Sequence, residues 1–300
     1  MTSTATETVT GIDRIDHPMV LTTDLDSLAL AYQAIGFLLT PQSSRHRGTD
    51  PATGATRPLG TANRHVVFAE NSIELLGLMD PDAPDPWGTR RLLAAYEGVR
   101  AIVFGCGDAE AVDTRLTTAQ LATTGVLGFR REVDTPTGSA TMCARTAHLL
   151  PMHTPEGGLG IAEHLTPELV RQARYTGHPN GAVALSAVTL VVADADLDGY
   201  LERYRTLLDA TPHDDGPRHV FPLRRGRVEL VPASAMDEVL PGESAPVLPF
   251  MAALTVTVAD LGTARSVVRG NGVAVHEVRD GFFVRAADAR GAAVVFTERP

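Results

Sequence analysis

Apolar and polar residues alternate through IDHPMVLTT, residues 15–23, and then switch period. In LDSLALAYQAIGF, residues 25–37, Leu28, Tyr32 and Ile35 recur at helical spacing, and Asp24 and Asp26 suit the turn and N-cap before them. A loop rich in Gly, Pro and Arg runs from Ser43 to Gly60. Two further strands follow, ANRHVVFAE and SIELLGLM, with Asn71-Ser72 as a tight turn between them. DPDAPDPWG, residues 80–88, breaks the pattern with three prolines and reads as a linker.

The same order then restarts. VRAIVFGC predicts a strand, DAEAVDTRLTTAQLATTG a helix, and VLGFRREV, SATMCARTAHLL and GLGIAEHL three strands. Further copies begin near Val183 and near Pro249, each with an apolar strand, an acidic helix start and later short strands. Such a βαβββ unit is too small to bury its own sheet face, so copies must pair. The predicted fold class is α+β, with four βαβββ modules paired into two curved-sheet cups. Residues 1–10 form a flexible tail. Residues 11–165 form an N-terminal pair (11–80 and 98–165), 166–182 a hinge, and 183–300 a C-terminal pair.

Composition narrows the function. A net charge of −10, a pI near 5.4 and only 5% aromatic residues disfavour a nucleic-acid partner. All 26 basic residues are Arg, which excludes Schiff-base chemistry and a P-loop lysine. Cys106 and Cys143 lie in strand-like contexts without a C-x-x-C and read as packing residues in a reduced compartment. The N-terminus lacks a signal-peptide pattern and no apolar run is long enough to span a bilayer. The expectation is a soluble, cytoplasmic protein.

Three residues stand out for chemistry. His17 lies on the first strand, where alternation gives it the face of Ile15 and Met19 and turns Asp16 away. Glu74, between Ile73 and Leu75, and Glu163, between Ala162 and His164, are carboxylates inside apolar strands. Such groups need a cation, an Arg or a raised pKa. Glu163 and His164 must point to opposite faces, so only one can enter a cup. His65, alternating with Asn63 and Val67, is either a general base or a surface residue. His46, with Arg45 and Arg47, reads as part of a solvated basic loop, and His178, in GHPNG, as structural. The Asp-rich runs at 80–85 and 194–198 read as caps and turns.

IDHPMVLTTDLDSLALAYQAIGF, LGTANRHVVF and SIELLGL together resemble the first module of the vicinal oxygen chelate superfamily, and more narrowly its glyoxalase-like branch. AEHLTPELVRQARYTGHPNGAVALSAVTLVVAD is similar to the hinge of long members of that branch. The resemblance implies the glyoxalase / bleomycin-resistance / extradiol-dioxygenase fold. It also implies a divalent metal ion (Zn, Ni, Mn or Fe(II)) held by His17, Glu74 and Glu163, with Ala101 in the place of a fourth ligand. Glu163 or Glu74 would then be the catalytic base, with His65 as a further catalytic contact. Glu229 and Glu298 take the matching places in modules three and four, whose first strands offer Val188 and Ala253, so that half is expected to be degenerate. Glu229 would pair with Arg224, Arg225 or Arg227. The implied function is a metal-dependent isomerase or lyase acting on a small oxygenated metabolite, as monomer or homodimer and without a membrane partner. The alternatives are a non-catalytic protein that sequesters a drug-like ligand, a ring-cleaving dioxygenase, and a metal-free enzyme using His17 and Glu74 directly as acid and base.

Overall fold

The computed structural model describes residues 11–43, 47–49 and 56–298. The expected tail, Arg45 and His46 lie outside these described residues. The N-terminal half runs β1 (Ile12–Thr22), α1 (Leu25–Ala34), β2 (Arg47–Thr49), β3 (Thr56–Pro58), β4 (Thr61–Val67), β5 (Ser72–Leu78), α2 (Thr89–Leu93), β6 (Gly98–Cys106), α3 (Ala109–Thr118), β7 (Leu127–Thr135), β8 (Gly138–His148) and β9 (Gly158–His164). After α4 (Pro167–Val170), the C-terminal half runs β10 (Ala182–Val192), α5 (Leu197–Leu208), β11 (His213–Asp215), β12 (Arg218–Pro222), β13 (Arg227–Pro232), α6 (Met236–Val239), β14 (Phe250–Val258), α7 (Leu261–Gly270), β15 (His276–Val278), β16 (Gly281–Val284) and β17 (Ala293–Glu298).

The repeats pair as their size demands. One sheet has the order β4-β5-β1-β6-β9-β8-β7 and the other β11-β12-β13-β10-β14-β17-β16-β15. In each, the first strands of two modules run antiparallel at the centre, β1 with β6 and β10 with β14. Each first strand also pairs in parallel with the last strand of its own module. The central strands β6 and β14 are buried along their whole length, in keeping with their mainly apolar sequences. Within the Ser43–Gly60 segment, β2 and β3 form a separate two-stranded ribbon.

Asp24, Asp108 and Asp260 cap α1, α3 and α7, accepting from the backbone N–H of Ser27, Ala111 and Thr263. Each cap satisfies one of the orphan amides of a helix start, worth about 1 kcal/mol. The buried faces of α1, α3, α5 and α7 share a single hydrophobic core with one face of both sheets. The opposite, concave faces therefore turn away from that core. The C-terminal concave face is filled by Val191, Val231, Phe250 and Phe283 and closed by Met236 and Val239 of α6. It is a second hydrophobic core and leaves the N-terminal cup as the place for chemistry.

The hinge is tied down by buried polar groups. His178 accepts from the Leu38 amide at Nδ1 and bonds the Val67 carbonyl at Nε2, packed edge-on against Phe37 and Phe68. Its structural reading holds. Asn71, read as a turn residue, also reaches across to the other half, pairing with both backbone groups of Leu185. No helix among the described residues is long and apolar enough to cross a membrane.

Candidate active site

Alternation along each strand defines the concave face of the N-terminal sheet. On β5, Ile73 and Leu75 enter the main core, so Ser72, Glu74 and Leu76 face the cup. Across the ladder from Glu74 stand His65 on β4 and Met19 on β1. On β6, Ile102 and Phe104 are core residues, and Ala101, Val103 and Gly105 face the cup. On β9 the core takes Leu159 and Ile161, leaving Gly160, Ala162 and His164 on the cup face.

The first strand departs from simple alternation. Its register against β6 slips between Ile15 and His17. Such a bulge re-aims the next side chains. Ile15 is fully buried in the main core, whereas Asp16 and His17 meet each other: His17 Nδ1–H donates to Asp16 Oδ1 over 2.8 Å. The expected shared face of Ile15 and His17, with Asp16 turned away, is therefore corrected. The same slip recurs in β10 between Leu185 and Ala187, at the matching place of the third module.

His17 and Glu74 do come together. His17 Nε2 lies 3.4 Å from Glu74 Oε2, and Glu74 Oε1 accepts from Asn63 Nδ2 at 2.7 Å. His65 joins this group through Asn63, whose Nδ2 is 3.2 Å from His65 Nε2, and through Ser72 Oγ at 3.5 Å. The result is a line of side chains, Asp16–His17–Glu74–Asn63–His65, along the floor of the cup.

Glu163 does not join them. Its Oε2 accepts from the backbone N–H of Ala109, the first residue of α3, at 3.1 Å, and Arg145 Nη1 lies 3.5 Å away. It is on the helix side of the sheet. Glu298 does the same in module four, accepting from the Leu261 amide at the start of α7. Both glutamates serve the N-terminus of their own module's helix, where a carboxylate is favoured. The neighbour rejected in sequence, His164, is the one on the cup face, and its Nε2–H donates to Asp16 Oδ1 at 2.9 Å.

The helix caps show where module two's ligand positions fall. Seven residues before Asp24 stands His17; seven before Asp108 stands Ala101. Met19, two residues after His17, pairs with Glu74; Val103, two after Ala101, pairs with Gly160. The position equivalent to Glu74 is thus Gly160, three residues before Glu163. In module three, Glu229 keeps the carboxylate, accepting from Thr189 Oγ1 at 2.9 Å and Arg227 Nε at 2.7 Å. This is the ion pair the sequence suggested.

A profile of the family described as a glyoxalase-like domain matches residues 15–208. The chain belongs to the glyoxalase-like domain family. This places it in the vicinal oxygen chelate superfamily that its motifs resembled. Solved structures share the fold. A hypothetical protein from Staphylococcus aureus is 12% identical, covers 95% of this chain and 99% of its own, and superposes with a TM-score of 0.64. A mutant of 4-hydroxymandelate synthase from Streptomyces coelicolor is 15% identical over 90% of this chain and 78% of its own, with a TM-score of 0.51. A xylose isomerase-like TIM barrel/4-hydroxyphenylpyruvate dioxygenase fusion protein is 14% identical over 90% of this chain and 41% of its own, with a TM-score of 0.56. No curated protein matches the sequence.

In this glyoxalase-like protein the donor set departs from the expected three ligands. A divalent ion needs three or four protein donors around one point. At the ligand positions that the resemblance implied, the cup offers His17 and Glu74, while Ala101 and Gly160 offer only carbon at the matching places of module two. Among the described residues, no group of three or more His, Cys, Asp or Glu side chains is arranged to hold an ion. The residues present do not fit the metal that the resemblance implied.

Charge between the two acids is supplied by His17 itself. Burial alone would lower the His17 pKa, but the hydrogen bond to Asp16 and the charges of Asp16 and Glu74 outweigh it, and the pKa is raised. Burial would likewise raise the Asp16 carboxyl, yet hydrogen bonds from His164 and His17 hold it well below the usual carboxylate range. His148, on the strand beside Gly160, is pushed down by burial and then by the charge on His17. A histidine NMR titration should therefore show His17 titrating above the ordinary 6.5 and His148 below it. Because the folded pKa of His17 is raised, its stabilising contribution is complete below the unfolded value. It is lost as pH rises through the folded one. Glu74→Gln, which removes one of the raising charges, should move the His17 midpoint down. Cys106 is buried, its thiol pushed up to about 12 chiefly by desolvation, so it is no activated nucleophile; Cys143 is a free half-buried thiol.

Proposed function

We propose that the N-terminal cup is the active site of an enzyme that moves a proton on a small oxygenated metabolite. The reaction class is isomerisation or lyase chemistry α to a carbonyl, run by His17 and Glu74 as an acid–base pair without a protein-held metal ion. The observation that carries this reading is the His17 ring set between Asp16 and Glu74 on the concave face.

The geometry supports the following roles. Asp16 accepts from Nδ1 and so fixes the ring with Nε2 toward the cup. Asn63 donates to one oxygen of Glu74, and the other lies 3.4 Å from His17 Nε2. A substrate C–H beside a carbonyl, placed there, gives its proton to Glu74. The C–H electron pair moves into the carbonyl to form an enolate, whose oxygen accepts a hydrogen bond from the His17 imidazolium. Returning the proton to the other carbon completes an isomerisation; expelling a β-leaving group completes elimination. A positioned acid–base group contributes roughly 10²–10⁴-fold to such a step. Ring-cleaving oxygenation is less well served, since the second first-strand position is Ala101.

The test is proton exchange in D₂O. The protein is incubated with a panel of small 2-oxo and 2-hydroxy carbonyl compounds, and deuterium at the α carbon is read by mass spectrometry. Uptake that depends on His17 and Glu74 supports the reading. Tight binding with no exchange for any compound would mean sequestration instead. A stoichiometric divalent ion that disappears in His17→Asn would overturn the metal-free assignment.

A further inference from the structure

A second polar cleft, of about 330 Å³, opens where the two halves meet, at the end of the cup that carries Asp16. This volume lies at the lower end of small-molecule sites. Arg14, Arg171, Arg224, Arg225 and His164 line it, together with Glu70. Arg224 and Arg225 belong to the turn between β12 and β13 of the C-terminal half. That turn lies along β1, with the Ile15 amide bonded to the Arg225 carbonyl and the Arg225 amide to that of Asp13.

Part of this cluster is an ordinary ion-pair network. Asp13 pairs with Arg14 and Arg224, Arg225 with Glu70, and Asp16 with Arg171 at 3.0 Å. Four guanidinium groups face three carboxylates, and two polar atoms are left over. Arg14 Nε–H, a donor in every protonation state, is buried without a hydrogen bond among the described residues, with Asp16 Oδ2 in ion-pair contact at 3.7 Å. His164, its side chain only 8% exposed, spends Nε2 on Asp16, and its Nδ1 is buried without a partner among the described residues. A buried polar atom left without a hydrogen bond costs about 1–3 kcal/mol, a cost that a polar ligand seated in the cleft would offset. Gly105 adds a third observation. A Cβ there would stand 2.4 Å from Arg14 Nε and 2.5 Å from its Cζ, so the missing side chain makes room for the guanidinium.

We infer that this cleft is a binding site for the oxyanion group, carboxylate or phosphate, of a small metabolite. Arg14 and Arg171 supply the planar donor forks such groups take. His164 Nδ1, with Nε2–H spent on Asp16, is an open acceptor for a hydroxyl of the same ligand. The site adjoins the acid–base pair through Asp16, which binds His164 and His17 at the same oxygen. The inference stands on the cleft alone and survives failure of the proton-transfer reading.

Calorimetric titration of the full chain with inorganic phosphate and with malonate tests it, the two probes separating a phosphate site from a carboxylate site. Saturable binding of at least one is expected. Arg14→Gln and Gly105→Ala should each weaken it at least about tenfold. Arg279→Gln, which breaks a surface pair with Asp215 far from the cleft, should leave it unchanged. Should a variant fail to fold, the His164 ring signals of the unmodified protein provide the readout, and they should shift as the anion saturates. No saturable binding of either probe, equal binding in both cleft variants, or His164 signals unmoved at saturation would overturn the inference.

Discussion

Glu74→Gln should lower α-proton exchange by roughly 10²–10⁴-fold, and Glu163→Gln should leave it within about a factor of two. The two glutamates occupy the same kind of sequence context but different sides of the sheet. Glu74 is buried on the concave face, shares a donor with His65 and stands 3.4 Å from His17. Its amide replacement keeps the shape and removes both the basic oxygen and the charge facing the imidazole. Glu163 accepts from the first amide of α3, and glutamine keeps an acceptor there while losing the charge that complements the helix N-terminus. That loss costs about 0.3–1 kcal/mol of stability and no chemistry. His17→Asn should match Glu74→Gln in lost exchange. Equal losses in the Glu74 and Glu163 variants would return Glu163 to the active site. Unchanged exchange in both would remove the acid–base pair.

The contrast between these glutamates shows what the sequence carried. Strand and helix periods, acidic helix starts and the fourfold recurrence were enough to read the fold class, and the Asp caps match the starts of α1, α3 and α7. Glu74 could be placed because β5 alternates regularly between core and cup. Glu163 could not, because the choice between it and His164 depends on which face of β9 meets the helix. Gly160 as the counterpart of Glu74 emerges only from the register of β6 against β9. The bulge at Asp16 was hidden for a different reason: nothing in IDHPMV announces that β1 gains a residue against β6. Without it, Asp16 seems to face the core, and its links to His17, His164 and Arg171 vanish. The cleft at the seam was equally out of reach, since Arg14 and Arg224 are brought together only when the halves pack.

The packing of those halves depends on a buried ion pair, and breaking it should have the largest effect on stability. Glu156, in the loop before β9, is fully buried and accepts at Oε1 from Arg203 Nη2 at 2.7 Å and from the Tyr204 hydroxyl at 2.9 Å, both on α5 of the other half. Arg203 stacks on the Tyr200 ring at 4.3 Å, and Arg100 donates to the Glu156 carbonyl. Removing the cation alone strands a carboxylate in the interior, so Arg203→Ala should cost about 3–5 kcal/mol, read as a lower urea midpoint at pH 8. Burial raises the Glu156 pKa, and Arg203 and Tyr204 only partly offset it. A raised folded pKa means that this group's contribution is complete below its unfolded pKa. It fades as pH climbs through the folded value. Losing Arg203 raises that folded pKa further, so the variant's deficit should shrink toward pH 5, where a protonated Glu156 no longer needs the guanidinium. Adding Glu156→Gln to Arg203→Ala should recover part of the loss at pH 8 and little at pH 5. A deficit independent of pH, with no recovery in the double variant, would mean that Arg203 acts through packing against Tyr200 alone.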